Sequence, residues 1–259
     1  MKWKQNFVLL LSFFAIYSIS YAQSVWEKTF IKTDHSYQDY SITTAQDGSE
    51  DLVLAGTIVN QTTGLYQMNV IRIEDQTGTV VFDENYYPDW PAWAMSIASY
   101  QTATGSGYAV TGYAEVNGDR QTLIMTLDEA GAQIDSKLYD QESSSTSSLG
   151  LNIKATPNAT DEGFVVVGMT HEDLAGSTLR FADKKGFCLK LDQDLNITWE
   201  KYFDSGLGST YPFDYDGASH VIPTDQGYFI TGGKIGLTPM IGQQRQSMLA
   251  LMLDANGNI

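Results

Sequence analysis

Three histidines, one cysteine and 31 carboxylates are the side chains in this 259-residue sequence that could bind metal or move protons. His35, His171 and His220 stand singly, whereas a helical zinc site places two histidines one turn apart. Cys188 is the sole cysteine, so neither an internal disulfide nor a Cys-rich zinc site can form. It falls in the apolar run 186–191 and reads as a small core residue rather than a nucleophile. Neither a Gly-x-Ser-x-Gly elbow nor a P-loop occurs. Asp214-Tyr215-Asp216-Gly217 sets two carboxylates close together before a glycine. Ca²⁺ needs about six to eight oxygens, and this run supplies too few. A carboxylate pair could serve a glycosidase, but among so many acids some pair always falls at a useful separation. No catalytic residue, metal or cofactor is therefore assigned.

Aromatics are the more informative candidates. Tyr87-Pro88-Asp89-Trp90-Pro91-Ala92-Trp93 and Tyr211-Pro212-Phe213-Asp214-Tyr215-Asp216 combine rigid rings with acids. Exposed ring faces stack on sugars and anchor peptides. Trp90, Trp93, Tyr211, Phe213 and Tyr215 are thus the expected ligand-binding residues. The competing expectation is that they pack under their own loops.

Charge limits the partners. Fifteen basic against 31 acidic side chains give a net charge of -16. Phosphate binding needs clustered Lys and Arg, so nucleic acid is not expected. Residues 1–22 read as a secretory signal: Lys2 and Lys4, the apolar run Phe7–Ile16, then Ser20-Tyr21-Ala22 as a small-x-small cleavage site. Losing both lysines and no acid takes the charge to -18. Such a chain is expected to be secreted, with no membrane insertion after cleavage.

The elements that must hold these residues repeat. Leu52–Gly56, Tyr108–Gly112, Phe164–Gly168 and Tyr228–Gly232 are apolar runs closing in glycine, with intervals of 56, 56 and 64 residues. Downstream acids at Glu74, Asp128, Asp192 and Asp254 lie 54, 64 and 62 apart. A turn with Gly78, Gly131 or Gly257 follows in three copies; the third has Leu195-Asn196, where Asn is the residue expected to accept the left-handed conformation. Val25–Phe30, Val81–Tyr86, Ser136–Tyr139 and Trp199–Phe203 form a further recurring run. Short stretches at Ile42, Ile97, Ile153 and Val221 precede each glycine-ended run. Each unit therefore holds four runs of strand length and no sustained helical period. The expected fold is all-β: a β-propeller of four-stranded antiparallel blades, in units of roughly 25–79, 80–133, 134–196 and 197–259.

The aromatic run closing in Gly, the Lys/Arg-Leu-Asp hairpin and Trp-x-Lys-x-aromatic resemble Kelch-like repeats of secreted bacterial β-propellers. Gly232-Gly233 is the one double glycine of the type usual in Kelch strands. Asp192–Trp199 also partly resembles the Asp-box of sialidase-type propellers, a structural hairpin. Ile259 falls where a fourth strand should begin, so we expect a piece of a larger ring; closure by Val25–Phe30 against the run near 249–253 is the alternative. Parity sends the long connections of every blade to one face, where loops held on a scaffold carry function. Those connections include Ala114–Asp119 and the Ser/Thr run 143–148, read as loop. The leading expectation is a non-catalytic propeller binding a carbohydrate or protein there. The alternatives are a propeller glycoside hydrolase or lyase with carboxylates in a central funnel, and a structural spacer.

Overall fold

A computed structural model of the chain describes residues 26–87, 90–102, 105–139, 146–156, 162–172, 185–203, 215–237 and 244–259. The signal segment and the aromatics Tyr211 and Phe213 lie outside them. The described chain is all-β, in four antiparallel sheets joined in sequence order. Sheet 1 is β1 (His35–Thr44), β2 (Leu52–Asn60), β3 (Tyr66–Ile73) and β4 (Val80–Tyr86). Sheet 2 is β5 (Ala92–Thr102), β6 (Gly105–Val116), β7 (Asp119–Asp128) and β8 (Gln133–Tyr139). Sheet 3 is β9 (Thr146–Thr156), β10 (Gly163–Glu172), β11 (Lys185–Leu191) and β12 (Ile197–Phe203). Sheet 4 has three strands, β13 (Tyr215–Thr224), β14 (Gly227–Leu237) and β15 (Gln244–Leu253).

Each sheet packs on the next in the chain, with a core at every junction. Val53, Ala55, Met68 and Val70 of sheet 1 meet Ala94, Ile97, Val110 and Met125 of sheet 2. Ala109 and Ile124 meet Ile153, Val166 and Leu189 of sheet 3. Val165, Val167 and Cys188 meet Val221 and Ile230 of sheet 4. The second and third strands are buried on both faces because a sheet lies on either side; each such aliphatic side chain contributes about 1.5–3 kcal/mol.

The repeated glycines sit inside the second strands and do not end them. In each sheet the glycine faces a bulge in the first strand, at Gln38/Tyr40, Ala94/Ser96, Val167–Gly168 against β9, and Ala218/His220. The extra residue pushes a carbonyl into the partner strand. A Cβ on Gly112 would lie 1.8 Å from the Trp93 carbonyl oxygen, and one on Gly232 1.8 Å from that of Gly217. Close approach of backbones, rather than strand termination, fixes glycine there.

Three further expectations are corrected. Ala114–Asp119 is not a loop: β6 and β7 meet in the two-residue turn Asn117-Gly118, both at positive φ (56° and 93°), the geometry a tight hairpin requires. Thr146–Ser148 of the Ser/Thr run belongs to β9, where the Ser148 hydroxyl accepts the Thr122 amide at 2.9 Å and so ties sheet 3 to sheet 2. The left-handed residue of the third turn is Leu195 (φ 59°), not Asn196.

Candidate functional site

In each sheet the β2–β3 and β4–β5 type connections leave from one end and the short hairpin turns from the other. At the first end an aromatic stack crosses from sheet 1 to sheet 2. Tyr66, which opens β3, stacks on Trp93 near the start of β5 (4.6 Å between centroids, 28°). Trp93 stacks in turn on Tyr113 near the end of β6 (4.7 Å, 13°), and the Arg120 guanidinium lies 5.2 Å from the Tyr113 ring. Each ring pair contributes roughly 0.5–1.5 kcal/mol beyond its buried area. Burial pushes the Tyr113 phenol above its ordinary value, keeping it a neutral hydrogen-bonding group.

Both faces of Trp93 are thus covered, and its ring serves to join two sheets. Trp90 differs: it is 45% exposed in the β4–β5 connection. Its backbone is held in place because the Glu115 amide of β6 donates to the carbonyl of the adjoining Pro91 (2.9 Å). Tyr215 opens β13, but its side chain lies outside what is described, as do Tyr211, Phe213 and Asp214. The structure therefore brings Trp90 and Trp93 to the same end and adds Tyr66, Tyr113 and Arg120. A ring at the first residue of a strand is the only trace these left in the sequence.

The opposite end holds the concave surface. A groove of about 480 Å³ between sheets 2 and 3 is lined by Tyr100, Gln101, Thr102, Glu162, Phe164 and Gln193. Tyr100 and Phe164 meet edge to face at 5.3 Å on its floor, and the Gln193 amide donates to the Glu162 carboxylate. Amide groups above aromatic rings suit a neutral polyol.

The acids of this end are occupied in making turns. Asp128, Asp192 and Asp254 each accept the backbone amide four residues on, from Ala132 (2.8 Å), Asn196 (2.7 Å) and Asn258 (2.8 Å). Hydrogen bonds from Asn196 lower Asp192 despite an opposing desolvation, and those from Asn258 lower Asp254. A general acid at neutral pH needs the reverse shift. The Asp-box-like run is one such turn. Cys188 is fully buried and burial pushes its thiol up, so no thiolate nucleophile forms at neutral pH. His35 accepts or donates at the Thr33 carbonyl, and His220 at the Ser219 hydroxyl. Among the described residues no three His, Cys, Asp or Glu side chains converge to hold a metal ion.

Arg72 of β3 is the strongest polar feature. It donates to Asp51 (2.8 Å), Asp47 (2.5 Å), Ser49 (3.0 Å), the Tyr108 hydroxyl (3.1 Å) and the Glu129 carbonyl (3.2 Å). Three groups from the β1–β2 link and two from sheet 2 thus close on one buried guanidinium, which is a structural clamp. The Ser49 hydroxyl, then its amide and Arg72, hold Asp47 down at about 2.

No family model and no curated protein matches the chain.

Proposed function

We propose that this chain is a secreted, non-catalytic β-propeller of the Kelch-like type that binds a carbohydrate or protein through the end carrying its long connections. Four sequence-ordered antiparallel sheets with buried central strands support the propeller. Its charged start, short apolar run and Ser20-Tyr21-Ala22 support secretion. Among the described residues no helix is long and apolar enough to cross a membrane. One observation carries the binding reading: Trp90 stands exposed on a backbone anchored to β6, beside an aromatic stack that keeps the scaffold rigid. A preorganised ring loses little entropy when it stacks on a ligand.

A glycan array followed by titration on the best oligosaccharide tests this. Trp90→Ala should weaken binding at least tenfold while leaving thermal unfolding unchanged. Retained binding in Trp90→Ala, with loss in Tyr100→Ala, would move the site to the groove between sheets 2 and 3. The groove's amide and ring lining is what favours that second location.

A further inference from the structure

The junctions between sheets share one device. The fourth strand of each sheet lays side chains over the hairpin turn of the next. Phe82 of β4 covers Gly131, where a Cβ would sit 3.0 Å from the ring, and Trp199 of β12 covers Gly257 at 2.8 Å. The Trp199 indole also donates to the Ala255 carbonyl (2.9 Å). Trp26 repeats the Trp199 joint on sheet 1: its ring covers Gly78 at 2.8 Å, and its indole donates to the Asp75 carbonyl (2.6 Å). Gly78 and Asp75 occupy in sheet 1 the turn positions of Gly257 and Ala255 in sheet 4. Residues 26–30 therefore stand toward sheet 1 as β12 stands toward sheet 4, yet they belong to no strand.

Sheet 4 shows the converse. It lacks a fourth strand, and the outer edge of β15 is open. Met248 is 80% exposed, whereas its counterparts Met68 and Thr122 are buried. The outward faces of the end sheets are bare as well. Ile42 of sheet 1 is 59% exposed where Ile97, Ile153 and Val221 are buried. Phe229 of sheet 4 is 38% exposed where Val53, Ala109 and Val165 are buried. One end thus presents the face that receives a preceding sheet, with its strand already seated. The other presents the face and edge that a following sheet and a fourth strand would cover.

We propose that these ends receive each other between two copies of the chain. The 26–30 segment of each copy adds to β15 of the other, and sheet 4 of each packs on sheet 1 of its neighbour. The occupant is a second copy because the same molecule's segment is seated on sheet 1 without pairing to β15. Two chains of four sheets make a closed set of eight, within the range of about four to eight blades that propellers adopt. Reciprocal docking leaves no sheet edge unpaired. The inference rests on the propeller reading.

The register follows from the β11–β12 pairing of Gly186 with Phe203 and Lys190 with Trp199. Through the common pairing with the second strand, Met248 and Met252 take the places of Gly186 and Lys190. Phe30 then faces Met248, Lys28 faces Ala250, and Trp26 faces Met252. Lys28 and Ala250 are both exposed, so cysteines there test the pairing without touching a core. The full-length Lys28→Cys/Ala250→Cys protein, oxidised and run without reductant, should give a covalent dimer that reductant reverses; neither single variant should. Cys188 is buried and takes no part. A monomer with an internal disulfide, or free thiols, would overturn the second copy as occupant. In sedimentation equilibrium, Met248→Lys should weaken the unmodified dimer at least tenfold at unchanged monomer stability. An unchanged dimer would also sink the proposal. Failure of the cross-link leaves the propeller reading to be judged separately, by the radial arrangement of the sheets in an experimental structure.

Discussion

Three kinds of residue carry unusual duties, and each can be weighed. Gly112 faces the Trp93 carbonyl with no room for a methyl group. Gly112→Ala should destabilise the fold by about 3 kcal/mol in urea denaturation, since over-packing against backbone cannot relax. Gly64, with φ 73° but open space around it, should lose only about 1 kcal/mol on the same change. Arg72→Met leaves the Asp51 and Asp47 carboxylates without their partner and should cost about 3 kcal/mol. Asp47 gives the pH signature. Its folded pKa, about 2, is below the ordinary 3.8, so its contribution is complete above that ordinary value and is lost as pH falls through about 2. The stability gap between wild type and Asp47→Asn should therefore be full at pH 5 and shrink toward pH 2. The glycine positions were legible as a repeat, because backbone crowding recurs wherever the bulge recurs. Arg72 was legible only as a Lys/Arg slot, since its partners come from two other segments of the chain.

The fourth strand and the turn it covers behave as one element. Phe82 and Trp199 lie over turn glycines, whereas the matching residue of β8 is Asp135 and the turn residue it faces is Leu195. Leu195 is fully buried, so the turn's own side chain occupies the junction where no aromatic arrives. That filling outweighs the roughly 1–2 kcal/mol that a non-glycine residue costs at positive φ. Leu195→Gly should then destabilise by about 2 kcal/mol, and Asp135→Trp with Leu195→Gly should recover at least about 1 kcal/mol of it in a double-mutant cycle. The sequence showed the missing glycine but not its compensation, because the two residues are 60 apart in the chain. Trp199→Ala removes the ring over Gly257 and the edge contact to Tyr228, and should cost about 3 kcal/mol.

At the scale of the molecule, the two ends of the sheets do different things. One end carries the exposed Trp90 and the cross-sheet stack; the other carries acid-capped turns, the Arg72 clamp and the groove. Trp93→Ala should therefore lower stability by about 2 kcal/mol by unstacking Tyr66 and Tyr113, and weaken a ligand bound at Trp90 only through that loosening. Comparing urea midpoints with binding constants for the Trp90 and Trp93 variants separates the two roles. Sequence gave both tryptophans equal standing, because exposure is a property of neighbours that arrive from another sheet.

Local sequence decided the strands. Alternating and doubly apolar runs, glycine at the bulges and acids before the turns each act within a few residues or across one hairpin, so their pattern survives in a linear reading. Which rings face solvent, which acids are consumed in turns, where the concave surface lies and which sheet faces are left bare depend on packing between sheets. Those contacts join residues some fifty or more positions apart, and only the assembled chain brings their side chains within reach.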